Sequence, residues 1–208
     1  MKEYHKIQSI FKRDERTHKF IEGQYSLLEF EYLRNNQWLA TEKIDGTNVR
    51  VEWDIANQTV TYGGRTDNAQ TPTFLLNKLQ EIFPKEKFVS LYPDISMCLY
   101  GEGYGARIQK GGGNYISNGC NFSLFDVLIG DMWLQREDVI DIASKLEIPF
   151  VPEVGRYTLE TVVNAIKLRN LTSTFGDFLM EGLVLKPTTE LSDRRGHRIV
   201  TKIKHVDF

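Results

Sequence analysis

Polar and apolar residues alternate with period two through Asn48-Val49-Arg50-Val51-Glu52-Trp53. That rhythm suits a strand with one buried face and does not fit an amphipathic helix. The surrounding stretch from Trp38 to Trp53 is rich in Val, Ile, Thr and Trp and reads as strand throughout. Asp54-Ile55-Ala56-Asn57-Gln58 then makes a turn, and Thr59 to Tyr62 returns as a second strand ended by Gly63-Gly64. Met97 to Tyr100, Phe122 to Leu128, Glu181 to Lys186 and His197 to Lys204 read as further strands. Helical spacing of apolar residues marks Thr73 to Phe83, Arg136 to Leu146 and Leu159 to Leu168. Strands in runs, with helices between them but no regular βαβ alternation, predict an α+β chain with mostly antiparallel sheets.

The 208 residues carry no internal repeat, low-complexity stretch or Pro/Ser-rich linker, so one compact domain is expected. Twenty-six Lys and Arg against 28 Asp and Glu leave a net charge of −2. Bulk charge therefore directs the chain to no polyanion, and any such site must come from local clustering. No run approaches the roughly 18 to 20 apolar residues of a membrane helix. The first residues, Met1 to Lys6, lack the apolar core of a secretory signal. Cys98 and Cys120 form no CxxC pair and no Cys/His metal spacing, which argues against a disulfide scaffold or zinc site. A reducing cytoplasm is the expected location.

Chemistry gathers in a few short segments. Thr41-Glu42-Lys43-Ile44-Asp45-Gly46-Thr47-Asn48 places a lysine beside a tight glycine turn at a strand edge. A lysine so placed can face a cleft, and it becomes a nucleophile when burial or neighbouring cations deprotonate it. Such cations lie between Arg194 and Lys204, where five basic residues (Arg194, Arg195, Arg198, Lys202, Lys204) occur without an acid. On a strand, Lys202 and Lys204 share a face. That pattern fits either a lysine-protected edge strand or a phosphate clamp. Glu102 and Glu181 are each flanked by glycine at the end of an apolar strand. There a carboxylate can reach a ligand, and carboxylates with substrate phosphates are what Mg²⁺ prefers. Phe125, central in its strand, suits a core position or a ring that stacks on a base.

Together these segments resemble the covalent nucleotidyltransferase superfamily of ATP-dependent ligases and mRNA capping enzymes, and most closely its RNA ligase 2 family. The carrying motifs are Glu42 to Asn48, Gly64-Arg65-Thr66, Gly101-Glu102, Ser123-Leu124-Phe125-Asp126, Glu181 to Pro187, and Lys202 to Phe208, with Ile108-Gln109-Lys110 after the third. The resemblance implies an antiparallel-sheet adenylation domain over residues 1–208 with a central ATP cleft. It implies that Lys43 attacks the α-phosphate of ATP, releases pyrophosphate and holds AMP as a phosphoramidate, with Lys202 and Lys204 on the α-phosphate. Phe125 would stack on adenine, Glu102 would bind the ribose, and Arg65 would hold a phosphate or the 3′-terminal nucleotide. Glu42, Ile44, Asn48, Glu181 and Lys186 complete the implied nucleotide contacts. Glu181 and Asp45 would hold Mg²⁺ or Mn²⁺. AMP would pass to a 5′-phosphate, and a 3′-hydroxyl would displace it.

Asp45 stands where relatives often carry His, a form shared with DNA ligases and capping enzymes, whereas Thr47-Asn48 favours the RNA type. The expected partner is therefore a nucleic-acid end, RNA first and a nicked duplex among the candidates. A monomer is expected, without an accessory C-terminal or oligonucleotide-binding domain. A DNA nick-sealing ligase, a capping guanylyltransferase and a nucleotide-binding module that lost catalysis are the alternatives.

Overall fold

A computed structural model describes residues 1–208. In chain order the elements are β1 (Gln8–Ser9), β2 (Phe11–Arg13), β3 (Phe20–Tyr25), α1 (Leu28–Tyr32), β4 (Trp38–Lys43), β5 (Thr47–Asp54) and β6 (Thr59–Gly64). Then follow α2 (Thr73–Ile82), α3 (Lys85–Leu91), β7 (Met97–Gly105), α4 (Gly112–Tyr115), β8 (Cys120–Ile129), β9 (Met132–Trp133) and α5 (Arg136–Lys145). The last are β10 (Glu153–Tyr157), α6 (Leu159–Lys167), β11 (Gly182–Pro187), β12 (Thr201–Lys204) and a 3-10 turn, His205–Asp207. No helix is long and apolar enough to cross a membrane. The chain divides into two compact units, one of Met1–His5 with Asp45–Val151 and one of Lys6–Ile44 with Pro152–Phe208.

In the first unit a five-stranded sheet runs in the order β6-β5-β7-β8-β9, antiparallel throughout. The alternation read from sequence decides its faces. Val49, Val51 and Trp53 point into a core with Leu99 and Leu124, covered by Leu75 and Leu79 of α2 and Val139 of α5. Asn48, Arg50 and Glu52 take the opposite face. There the first residues of the chain lie against the sheet. The Tyr4 hydroxyl donates to the buried Asp126 carboxylate at 2.5 Å, and the Tyr100 hydroxyl donates to the Lys2 carbonyl at 2.9 Å. Arg50 is fully buried, and its guanidinium donates to the carbonyls of Gly64 and Met1 and to Asp67.

The second unit holds a sheet in the order β1-β12-β11-β4-β10, antiparallel except for the β1–β12 edge, and a separate β2–β3 hairpin. Trp38 and Ala40 of β4, Leu183 and Leu185 of β11 and Ile203 of β12 form its core. On α6, Leu159, Val162, Val163 and Ile166 follow helical spacing and close over that core. Thr158 caps α6 by accepting the Thr161 N–H at 3.3 Å. Arg169, with φ of +52°, lies just past its end.

Several elements differ from those read in the sequence. The expected strand Trp38–Trp53 is two strands, broken at Ile44-Asp45-Gly46, and β4 and β5 belong to different sheets. The last strand begins at Thr201, because residues before it form a turn around the Asp193 carboxylate. That carboxylate accepts the N–H groups of Arg195 and His197 at 2.8 and 2.9 Å. Arg194 and Arg195 are thereby exposed turn residues. The N-terminal hairpin, α1, α3 and β10 carry patterns too short to register as periodic.

Because Leu185 is fully buried between β4 and β12, Leu185→Ala is expected to destabilise the second unit by about 2–5 kcal/mol. A urea titration followed by tryptophan fluorescence measures this. A loss below about 0.5 kcal/mol, the scale of a surface substitution, would contradict this packing.

Candidate active site

The segment expected to carry the nucleophile, at Lys43, ends β4, and β11 lies beside it. Gly182 is the register partner of Lys43 on one side and of Lys204 on the other. With period two, Lys43, Gly182 and Lys204 share one face, with Val184 and Lys202 in the next row. Gly182 is required here, because a Cβ would run into the Ile203 carbonyl and lie 2.8 Å from the Lys204 Cα. The preceding residue fills that gap with charge. Glu181 Oε2 lies 2.6 Å from Lys43 Nζ and Oε1 3.3 Å from Lys204 Nζ, so one carboxylate joins two ammoniums from different strands. All three side chains are partly buried, between 18% and 29% exposed. Lys186 falls on the same face by alternation, roughly 13 Å along the strand from Gly182.

Lys202 has its affinity for protons lowered. Burial is the main cause, followed by the charges of Lys43 and Lys204, with Asp207 and Glu181 acting the other way. This is the electrostatic signature of a cation cluster that an anion would stabilise.

Glu42 corrects the sequence expectation. As the neighbour of Lys43 on a strand, its side chain projects from the opposite face, and it is 1% exposed. Its carboxylate accepts from Ser173 Oγ at 2.5 Å, Thr174 N at 2.8 Å and Thr174 Oγ1 at 2.6 Å. Those donors hold the carboxylate on the buried side of the strand, away from the face that carries Lys43. Ser173 and Thr174 were missed by sequence reasoning. Their signal was the hydroxyl run Thr172-Ser173-Thr174 ahead of the Glu181 motif. Ile44 is a buried apolar plug, 2% exposed.

The remaining expected residues belong to the first unit. Glu102 is the register partner of Asn48 on β5 and Ser123 on β8, which makes one polar row across three strands. Asn48 Oδ1 and Ser123 Oγ are buried without a hydrogen-bond partner in the protein. Phe125 sits at the β7–β8 bulge, with its ring centroid 5.1 Å from that of Tyr4 in an edge-on contact. Arg65 follows β6 and is exposed. The Asp45 N–H donates to the Tyr115 hydroxyl at 3.1 Å, and the Gln109 amide donates to the Gly46 carbonyl at 3.1 Å, so the segment after β7 braces the turn.

Asp45 and Glu181 lie in different units, and no group of three or more His, Cys, Asp or Glu side chains is placed to hold a metal. A single carboxylate among ammoniums does not make a protein cage. It does fit the way Mg²⁺ is commonly held, through one or two carboxylates together with substrate phosphates.

The chain matches the family model for RNA ligases over residues 36–204. No curated protein sequence matches it. Among solved structures, a mutant RNA ligase of Naegleria gruberi with ATP and Mn superposes with a TM-score of 0.66 at 19% identity, covering 87% of this chain and 54% of that one. The Naegleria gruberi RNA ligase with PPi gives 0.64 at 20% identity, covering 85% and 52%. An archaeal ATP-dependent RNA ligase gives 0.63 at 18% identity, covering 98% and 48%. At these identities the likeness is one of fold. The chain spans about half the length of these structures.

Two stability measurements separate the roles of the site's faces. Glu42→Ala strands the Ser173 and Thr174 donors in a buried position and is expected to cost about 1–3 kcal/mol in chemical denaturation. An unchanged midpoint would contradict the clamp. Lys202→Met is expected to raise Tm near neutral pH, because the native state disfavours the charged amine that the unfolded chain carries freely. That gain is full below the native titration point, fades as pH rises toward the unfolded value of about 10.4, and is absent above it. A gain that grows with pH would contradict the cause assigned to Lys202.

Proposed function

The chain belongs to the RNA ligase family, and from that premise we propose that it is an ATP-dependent RNA ligase working through a lysyl-AMP intermediate. The observation that carries this reading is the lysine face of the second unit, where Lys43 meets Glu181 at 2.6 Å and Glu181 meets Lys204 at 3.3 Å.

The chemistry follows from the charges. The Lys43 ammonium passes a proton to solvent and releases its contact with Glu181, and Nζ attacks the α-phosphorus of ATP. A P–N bond forms, the bond from the α-phosphorus to the bridging oxygen breaks, and pyrophosphate leaves with the electron pair. Lys202 and Lys204 neutralise the charge that builds on the α-phosphate; phosphoryl transfer is catalysed mainly by such positioning and neutralisation. A 5′-phosphate oxygen then attacks the AMP phosphorus and the P–N bond breaks, returning the amine. Finally a 3′-hydroxyl attacks the activated 5′-phosphate and loses its proton to solvent, the phosphodiester forms, and the bond to the AMP oxygen breaks to release AMP. Glu181, together with the substrate phosphates, would hold Mg²⁺ or Mn²⁺, which would further neutralise phosphate charge. In this reading Glu102 binds the ribose, Phe125 stacks on adenine and Arg65 holds a phosphate or the terminal nucleotide. RNA ends with a 5′-phosphate and a 3′-hydroxyl are the substrate, a nicked duplex among the forms to be tested, and the chain acts as a monomer. Relatives of this fold solved with ATP and Mn and with PPi support the choice of nucleotide.

Incubation with α-labelled ATP and Mg²⁺ is expected to transfer label to the polypeptide through an acid-labile bond. Labelled GTP should do so poorly, and Lys43→Ala should abolish transfer. Lys202→Ala and Lys204→Ala are each expected to slow labelling by about 10² or more, the scale of losing one preorganised charge. Preferential labelling by GTP would move the reading to capping chemistry, and no labelling by either would leave a binding module. Pre-adenylylated protein offered nicked duplexes should seal those with an RNA 3′-hydroxyl. Sealing only at DNA 3′ ends would overturn the choice of RNA.

A further inference from the structure

The second unit buries a carboxylate that the reaction as derived does not use. Asp207 is 2% exposed and closes the 3-10 turn that follows β12. Its Oδ2 accepts the backbone N–H of Lys204 at 3.0 Å, and its Oδ1 accepts from Arg13 Nη2 at 2.8 Å. The same Nη2 donates to Ser9 Oγ at 3.1 Å, while Nη1 donates to the His18 carbonyl at 2.9 Å. The guanidinium carbon also lies 4.7 Å from the Phe20 ring centroid.

Ser9 gives this arrangement its meaning. It is the register partner of Lys202 across the parallel β1–β12 edge, and the next residue, Ile10, donates its N–H to the Lys202 carbonyl at 3.1 Å. One planar guanidinium therefore reaches both ends of the stretch that carries the two lysines. It touches Ser9 beside Lys202, and it touches Asp207, which caps Lys204. The flat fork of an arginine can bond several acceptors at once in fixed directions, which the point charge of a lysine cannot. The stretch needs such support. β12 has four residues and Lys204 is its last, a place where short elements fray.

Resting on the ligase reading above, we infer that Arg13 and Asp207 form a positioning pair for adenylylation, fixing where the Lys202 and Lys204 ammoniums stand when the phosphates of ATP arrive. Both act through the lysines. Arg13 reaches β12 from the N-terminal hairpin, an element with no other part in the derived chemistry, which gives that hairpin a purpose in the reaction.

The test compares Arg13→Gln, Asp207→Asn and Arg13→Lys with the unaltered chain by three readouts. These are kcat and KM for labelling by α-labelled ATP, calorimetric affinity for inorganic pyrophosphate, and Tm. Arg13→Gln and Asp207→Asn are expected to lower kcat at least about tenfold, as misplacement of catalytic charges does, and to weaken pyrophosphate binding. Arg13→Lys should recover part of both losses. A merely structural pair would lower Tm while leaving kcat and pyrophosphate affinity of the folded protein unchanged, and that result overturns the inference. The two readings fail separately. If the unaltered chain takes no label but pyrophosphate affinity still falls in both variants, the ligase reading is lost and the pair stands. If labelling and pyrophosphate affinity are normal in both variants, the pair is lost and the ligase reading stands. If the chain takes no label and pyrophosphate affinity is also unchanged, both are lost.

Discussion

Like charges on one face of a sheet repel, and β4, β11 and β12 bring Lys43, Lys202 and Lys204 to the same face. What makes that arrangement tenable is the Glu181 carboxylate, bonded to Lys43 through one oxygen and to Lys204 through the other. Magnitudes show why this is not a stabilising device. Ion pairs at partly exposed positions contribute about 0–1 kcal/mol, and Lys202 is in addition disfavoured in its charged form by burial and by its neighbours. A sheet face built for stability would carry something else. In the proposed reaction the arriving phosphate would supply the negative charge that Glu181 alone does not provide for three ammoniums.

The same alternation explains why adjacent residues of one motif do unrelated work. Lys43 projects from the charged face and Glu42 from the core face, where Ser173 and Thr174 surround its carboxylate. A motif read as a string invites one role for all its members. A motif on a strand has two sides, and a one-residue step exchanges solvent for core. Lys186 obeys the rule from the other direction. It is four residues beyond Gly182, so it returns to the charged face.

Legibility in the sequence followed the length and regularity of each pattern. β5, α5 and α6 carry clear periods and lie within a residue or two of where those periods place them. The lysine face was legible in part, because Lys202-Ile203-Lys204 declares its shared face without reference to anything distant. What faces it across the sheet was not, since pairing of β4 with β11 joins residues about 140 apart and single-sequence patterns carry no register. The β1–β12 edge and the Arg13–Asp207 contact were invisible for a related reason. β1 and β2 have two and three residues, too few for any period, and they exist only because β12 and the hairpin partner hold them. Trp38–Trp53 reads as one strand because nothing in its composition marks the break, apart from a single glycine.

That glycine explains the spacing of the nucleophile motif. Lys43 is the last residue of β4 and Thr47 the first of β5, strands of different sheets, so three residues must turn the chain between them. Ile44 is buried, the Asp45 N–H is bonded to Tyr115, and Gly46 lies against β7. A Cβ at position 46 would collide with the Gly103 carbonyl and come within 2.8 Å of Glu102 Cγ. No residue but glycine fits without moving the strand that carries Glu102. The requirement for glycine after Lys43 and the placement of Glu102 between two glycines are therefore one steric constraint seen from two places in the chain. A larger residue at 46 would push on β7 at Glu102 and Gly103, so the glycine of the first motif is demanded by a strand some 60 residues further on.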